Sequence, residues 1–389
     1  MKKLEGYTIE NCIGKHLLGD LYLTTKNNNP KKYISKRYDR EEIDKKGLKK
    51  FLENEIIFLK YLNHPNCVKI EDMKKSKKYY YIIFEYCNGG NLSEALEKYI
   101  QKYGKSFPEE IIQHFMSQII DAFKYIHDKE IIHRYINIEN IFLNYENEED
   151  AKNLNLKKAK IKIVDFNFAC RIKNWLKNGL VCKILPEMKN DDQFIIKNLK
   201  YPSKKRKDIG YSKKADIWSI GAICYEMLTG IPVLDVQEFE KFHIKIKQGN
   251  YALPTIVSRE IISFINGMLQ YKAYMRLTAS QLSRHDFLNK DISQFKKINL
   301  KNVSDILGQG GFEIINLNNR PIWSIFNKKD ETLLSSIKGS EFVKPINEKE
   351  QLELSKDILN ESSVLFSPNG IPDNEELDEN ISVISKEDL

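Results

Sequence analysis

Gly14 and Gly19 lie between two strand-like runs, Tyr7 to Ile13 and Leu21 to Thr25, and glycines in such a turn let backbone amides approach a phosphate closely. A basic run, Lys204-Lys205-Arg206-Lys207 with Lys213-Lys214 after it, could neutralise nucleic-acid phosphates or act in nuclear import. The formal net charge is +8, but most of these lysines read as solvated faces, and an exposed insertion loop is the simpler account of the run. Nucleic acid is therefore not expected as a partner. Six cysteines, Cys12, Cys67, Cys87, Cys170, Cys182 and Cys224, are scattered without a C-x-x-C pair, which speaks against a zinc site or disulfide framework and for reduced thiols.

The elements that must position any site come in two styles. From Tyr7 to Tyr86 short β-like runs dominate: Tyr7 to Ile13, Leu21 to Thr25, Lys32 to Lys36, Val68 to Met73 and Tyr79 to Tyr86. One helix interrupts them, expected over about Glu42 to Leu62, where Leu52, Ile56, Leu59 and Leu62 form an apolar face. After a turn at Gly89-Gly90 the chain becomes mainly helical. Pro108 and Glu109-Glu110 introduce a helix whose buried stripe is Ile112, Phe115, Ile119, Phe123 and Ile126. Further helical patterns cover Ala215 to Thr229, Ser258 to Leu269 and Thr278 to Phe287.

With 389 residues, 41% of them hydrophobic and 30% charged, the chain can bury the core of one large two-lobed domain or two ordinary ones. No run of about 18 apolar residues offers a membrane span, and Met1-Lys2-Lys3-Leu4-Glu5-Gly6-Tyr7 has no apolar signal-peptide core. A cytoplasmic location is expected, with nuclear entry the variant that the 204–207 cluster would allow.

Along this frame the sequence resembles the eukaryotic protein-kinase family over residues 6–289. Ile13-Gly14-Lys15-His16-Leu17-Leu18-Gly19-Asp20-Leu21 is similar to the loop that covers nucleotide phosphates, with His16 where the family has its second glycine. Lys36 closes Tyr33-Ile34-Ser35-Lys36, similar to V-A-I-K, and Glu55 stands where the family's lysine-pairing glutamate belongs. Phe84-Glu85-Tyr86-Cys87-Asn88-Gly89-Gly90-Asn91-Leu92 resembles the hinge. Ile131-Ile132-His133-Arg134 opens the catalytic loop and Asn140 closes it. Asp165-Phe166-Asn167 resembles D-F-G, Asp216-Ile217-Trp218-Ser219-Ile220-Gly221 the helix buried in the large lobe, and Arg276 a late structural arginine.

The resemblance implies an α+β, two-lobed fold: a β-rich N-lobe with one helix over about 6–86 and a larger helical C-lobe over about 91–289. It implies a nucleotide site at Gly14, Gly19, Leu21, Ile34, Lys36, Glu55, Glu85, Cys87 and Phe142, and a Mg²⁺ site at Asn140 and Asp165, whose oxygens suit that ion. The hinge wording and the short large lobe look most like Ser/Thr kinases, nearest the autophagy-initiating ones.

Two working residues are missing. The family's H-R-D-L-K-P-E-N reads His133-Arg134-Tyr135-Ile136-Asn137-Ile138-Glu139-Asn140. Tyr135 replaces the aspartate base with a phenol of pKa about 10, protonated at neutral pH. Losing that base forfeits roughly 10²- to 10⁴-fold in rate. Asn137 replaces the lysine set against the transferring phosphate, and a neutral amide cannot neutralise the charge that spreads over the phosphoryl oxygens. Glu139 is a nearby carboxylate, but its slot in the family pattern points away from the substrate.

From Phe166 through Lys200 there is no Ser, Thr or Tyr, so a loop phosphate pairing with Arg134 is not available in this stretch. The A-P-E equivalent is Leu185-Pro186-Glu187, with Tyr201-Pro202-Ser203 second. Ile34 takes the slot of the alanine above the purine and Phe142 that of the aliphatic residue beneath it. Overpacking costs about 1 to 3 kcal/mol, or roughly ten- to a hundredfold in nucleotide affinity. Ile34 with Leu21 and Phe142 with Leu92 are expected to close the apolar column that adenine completes, while Leu59, Phe166 and His133 form the other, anchored at Asp216. ATP and Mg²⁺ are thus expected as conditional ligands, since Asn140 and Asp165 would also be kept for loop hydrogen bonds alone.

Residues 290–370 read as a partly ordered extension, in which Pro321-Ile322-Trp323-Ser324-Ile325-Phe326 could dock on the main domain or engage a partner. Residues 371–389, with seven acids against the single base Lys386, read as a disordered acidic tail. The expected function is a pseudokinase: a scaffold or allosteric regulator of a protein partner, an active kinase among the candidates. The alternative is an active ATP-dependent Ser/Thr kinase with a rebuilt catalytic loop.

Overall fold

A computed structural model of the chain describes residues 2–15, 18–27, 29–172, 213–233, 253–254, 256–270, 273–295 and 297–299. These fall into two compact units, one of residues up to 88 together with 162–169, the other of residues 89–161 and 170 onward.

The first unit is a six-stranded antiparallel sheet. Its strands are β1 (Lys2–Leu4), β2 (Tyr7–Lys15), β3 (Asp20–Lys26), β4 (Asn29–Asp39), β5 (Ile70–Lys75) and β6 (Tyr79–Glu85), in the order β1-β2-β3-β4-β6-β5. β1 was not anticipated. It forms a hairpin with β2 around Gly6, whose φ of +76° suits glycine. Side chains alternate along β4 as the pleat requires. Tyr33 joins Leu4, Tyr7, Ile9, Tyr81 and Ile83 in a buried cluster, whereas Ile34, Lys36 and Tyr38 share the opposite face.

The helix expected over 42–62 is two helices, α1 (Arg40–Lys45) and α2 (Lys49–Tyr61). Gly47, at φ +63°, breaks the register between them. Leu52, Ile56 and Leu59 on α2 are buried as the periodicity predicts. Residues 162–169, which sequence reading placed inside the C-lobe, pack with the first unit. Ile163 N–H donates to Asn66 O at 2.7 Å and Val68 N–H donates to Ile163 O at 3.0 Å, so a short ladder carries the following Asp165 to this sheet unit.

The second unit is mainly helical: α3 (Leu92–Tyr103), α4 (Glu109–Asp128), α5 (Lys213–Thr229) and α6 (Arg259–Met268). Ile112, Phe115, Ile119, Phe123 and Ile126 of α4 are fully buried. α5 is buried on nearly every side, and a Cβ on Gly221 would lie 2.7 Å from the Met268 side chain, so this glycine sets how closely α5 and α6 pack. The helix expected over 278–287 is instead two short ones, Ala279–Leu282 with a Thr278/Gln281 capping box and Asp286–Asn289 capped by His285. Structure continues beyond 289, where Lys297–Asn299 pairs with Ile256–Ser258 and Lys297 meets the buried Glu109. Among the described residues no helix is long and apolar enough to cross a membrane.

Candidate functional site

In the first unit, Lys36 reaches from β4 toward α2. Its Nζ lies 3.1 Å from both carboxylate oxygens of Glu55, 3.4 Å from Asp165 Oδ1 and 2.8 Å from Asn167 Oδ1. All four side chains are buried. Tyr38, two residues along the strand and therefore on the same face, donates its hydroxyl to Glu55 Oε2. Asn167 Nδ2 donates to the same oxygen at 3.1 Å and to Phe51 O at 3.0 Å.

Burial alone would depress the Lys36 pKa, but Glu55 and then Asp165 outweigh it and hold the ammonium above its ordinary value. Burial and the Glu55 charge push the Tyr38 hydroxyl well above its ordinary range, so it remains a donor. An ammonium has three protons, and here they meet two carboxylates and one amide oxygen. The charge is thereby paired entirely by the protein. Asp165 itself has a left-handed backbone, φ +66°, uncommon for a residue with a Cβ.

In the second unit, Asp216 organises the catalytic loop. Its carboxylate accepts the N–H groups of His133 at 2.9 Å and Arg134 at 2.8 Å, and lies 2.9 Å from His127 Nε2. Arg134 is held at φ +65°, a conformation that needs such support. Asn137 turns inward: its Oδ1 accepts from Glu139 N at 2.8 Å and Asn140 N at 3.0 Å, capping the turn Ile138–Asn140. Asn140 Nδ2 donates to Tyr135 O at 2.9 Å, which leaves Oδ1 as the atom its side chain can offer a cation. Tyr135 is half-buried and Glu139 exposed.

The family model described as Protein kinase domain matches residues 7–288. The chain belongs to the protein-kinase family. It is 26% identical over 255 residues, 66% of this chain and 27% of the relative, to a "Probable serine/threonine-protein kinase" of Dictyostelium discoideum. It is 25% identical over 288 residues, 74% and 28% respectively, to serine/threonine-protein kinase PLK4 of Danio rerio. It is also 25% identical over 285 residues, 73% and 70%, to Aurora kinase B-A of Xenopus laevis. The chain thus spans little more than a quarter of the first two.

Other residues of the kinase domain divide by role. Gly14 is not sterically required, since an added Cβ would sit 3.9 Å from Leu21. Gly19 is required, because its Cβ would lie 2.4 Å from Arg37 O. His16 lies outside the described residues, as do 185–187 and 201–203, the two candidates for the A-P-E equivalent. Leu21 and Ile34 are half-buried in the first unit, as Phe142 is in the second. Glu85 takes Lys69 N at 2.8 Å and Lys162 Nζ at 2.9 Å on one carboxylate oxygen, so its side chain is a brace within the first unit. Burial pushes the Cys87 thiol up to about 12, and it remains a thiol at neutral pH. Arg276, lowered by burial to about 10, donates to Gln270 O at 2.9 Å and Lys214 O at 2.7 Å.

The oxygens of Asp165 and Asn140 fit a hard divalent cation by their chemistry. When bound, Mg-ATP supplies the electrophilic phosphoryl group. Two residues of the network, Tyr38 and Asn167, escaped sequence reading. Both had a signal: Tyr38 is two positions from Lys36 on a strand, and Asn167 stands where D-F-G ends in glycine.

Proposed function

We propose that this kinase domain works as a pseudokinase, a scaffold or allosteric regulator of a protein partner, with weak or no phosphotransfer. The observation that carries the reading is the state of the catalytic loop. At the base position Tyr135 is a phenol, a proton donor at neutral pH rather than a carboxylate acceptor. At the lysine position Asn137 uses its carbonyl to cap the loop's own backbone. Proton removal from a substrate hydroxyl and neutralisation of the transferring phosphoryl are therefore both unassigned among the loop residues. The Lys36 ammonium points the same way, since its charge is already met by side chains of the first unit and needs no phosphate to pair it. The expected setting is cytoplasmic, and an active kinase is the first partner to test.

The second reading is an active Ser/Thr kinase with an atypical loop. The formed Lys36–Glu55 pair and the metal-suited oxygens of Asn140 and Asp165 favour it. Thermal shift with ATP and with Mg-ATP, followed by a radiolabelled phosphotransfer assay, separates binding from turnover. Peptide phosphorylation at several events per second, within the ordinary kinase range of about 1 to 100 s⁻¹, would establish the second reading instead.

A further inference from the structure

We propose that Asn167 is a positioning residue that stands in for the nucleotide, holding Lys36, Glu55 and helix α2 together without a phosphate. The consequence for function rests on the scaffold reading above; the geometry does not. In the family motif this position is a glycine, which has no side chain to offer. Here the Asn167 amide is fully buried and used at both ends. Oδ1 accepts from Lys36 at 2.8 Å, the shortest of the lysine's contacts, while Nδ2 donates to Phe51 O and Glu55 Oε2. The main-chain oxygen of Asn167 accepts from Asn54 Nδ2 at 3.2 Å. Asn54 and Glu55 lie three and four residues after Phe51, so these bonds all meet one face of α2. The Phe51 and Phe168 rings, 5.3 Å apart, extend the same seam with apolar contact.

Charge explains why an amide suits the position. Lys36 already faces two carboxylates, and a third would add repulsion against Glu55 and Asp165, whereas a neutral amide oxygen accepts the last ammonium proton without that cost. Hydrogen bonds from both ends of one buried amide rigidify the elements they join. With glycine at 167, Lys36 loses its shortest contact and the Phe51 side of α2 loses its donor, which opens a position at the ammonium for a phosphate oxygen.

The test is hydrogen exchange of the full chain without nucleotide, comparing the parent with Asn167→Gly. The amides of α2 are expected to exchange at least about tenfold faster in the variant, equivalent to about 1.4 kcal/mol of lost local stability, while those of α4 stay unchanged. Mg-ATP is expected to raise the Tm of the variant more than that of the parent. If Asn167→Gly does not fold, Asn167→Leu keeps the branching at Cγ and the number of side-chain heavy atoms, removes the amide's hydrogen bonds and is read in the same way. Unchanged α2 exchange in whichever variant folds overturns the brace. Rapid phosphotransfer by the parent overturns the scaffold reading and leaves the exchange result standing.

Discussion

Asn137 Oδ1 accepts the backbone N–H groups of Asn140 and Glu139, so the residue that replaces the family's phosphate-facing lysine is the cap of its own loop. A lysine there brings a cation and removes the cap. Asn137→Lys alone is expected to cost about 1 kcal/mol of stability, the usual loss for a side-chain cap, read by urea denaturation. Tyr135→Asp with Asn137→Lys should raise phosphotransfer by at least about 10²-fold over the parent, and no gain from the double variant would mean that the defect lies elsewhere.

Removing one member of a buried charge network leaves the others uncompensated. Lys36→Met should therefore destabilise the domain by about 3 to 5 kcal/mol, as it strands Glu55 beside Asp165. Tyr38→Phe removes one donor from a carboxylate that keeps two more, and about 1 to 2 kcal/mol is expected. Equal losses for the two variants in chemical denaturation would contradict the network described.

Gly14 and Gly19 flank the same loop but should respond differently. Gly19→Ala places a methyl group against the Arg37 carbonyl and should cost about 1 to 3 kcal/mol, whereas Gly14→Ala meets only ordinary contact. Thermal melts of the two single variants decide the point, and a tolerant position 19 would refute the close strand approach.

His285 sets an acid limit. Burial lowers its pKa to about 4, with the Asp286 charge opposing, and the neutral ring accepts from Phe287 N at 3.1 Å while its other nitrogen lies 3.2 Å from Ser263 Oγ. The unfolded chain binds the proton at the ordinary value near 6.5, so its contribution is present above that pH and is lost as pH falls from about 6.5 to about 4. By pH 5 the loss is about 2 kcal/mol, and His285→Gln should flatten that part of the stability curve. A parent and variant with the same slope between pH 7 and 5 would remove His285 as the cause.

Much of this protein was legible locally. The stripe of α4, the breakpoint at Gly89-Gly90 and the kinase motifs each occupy a short window in which spacing alone sets which side chains share a face. The break at Gly47 lay within that reach too, and the continuous apolar pattern of the helix concealed it. The roles of Asn137, Tyr38 and Asn167 were decided by tertiary structure. An amide has no preferred partner in sequence; it bonds whatever the fold brings to it, and for Asn167 that is a lysine 131 residues away. Sequence determined the family and the tyrosine at position 135, where the family motif has aspartate. Packing decided that the vacated motif positions would hold the fold together, because a buried polar group must find a partner wherever the chain has placed one.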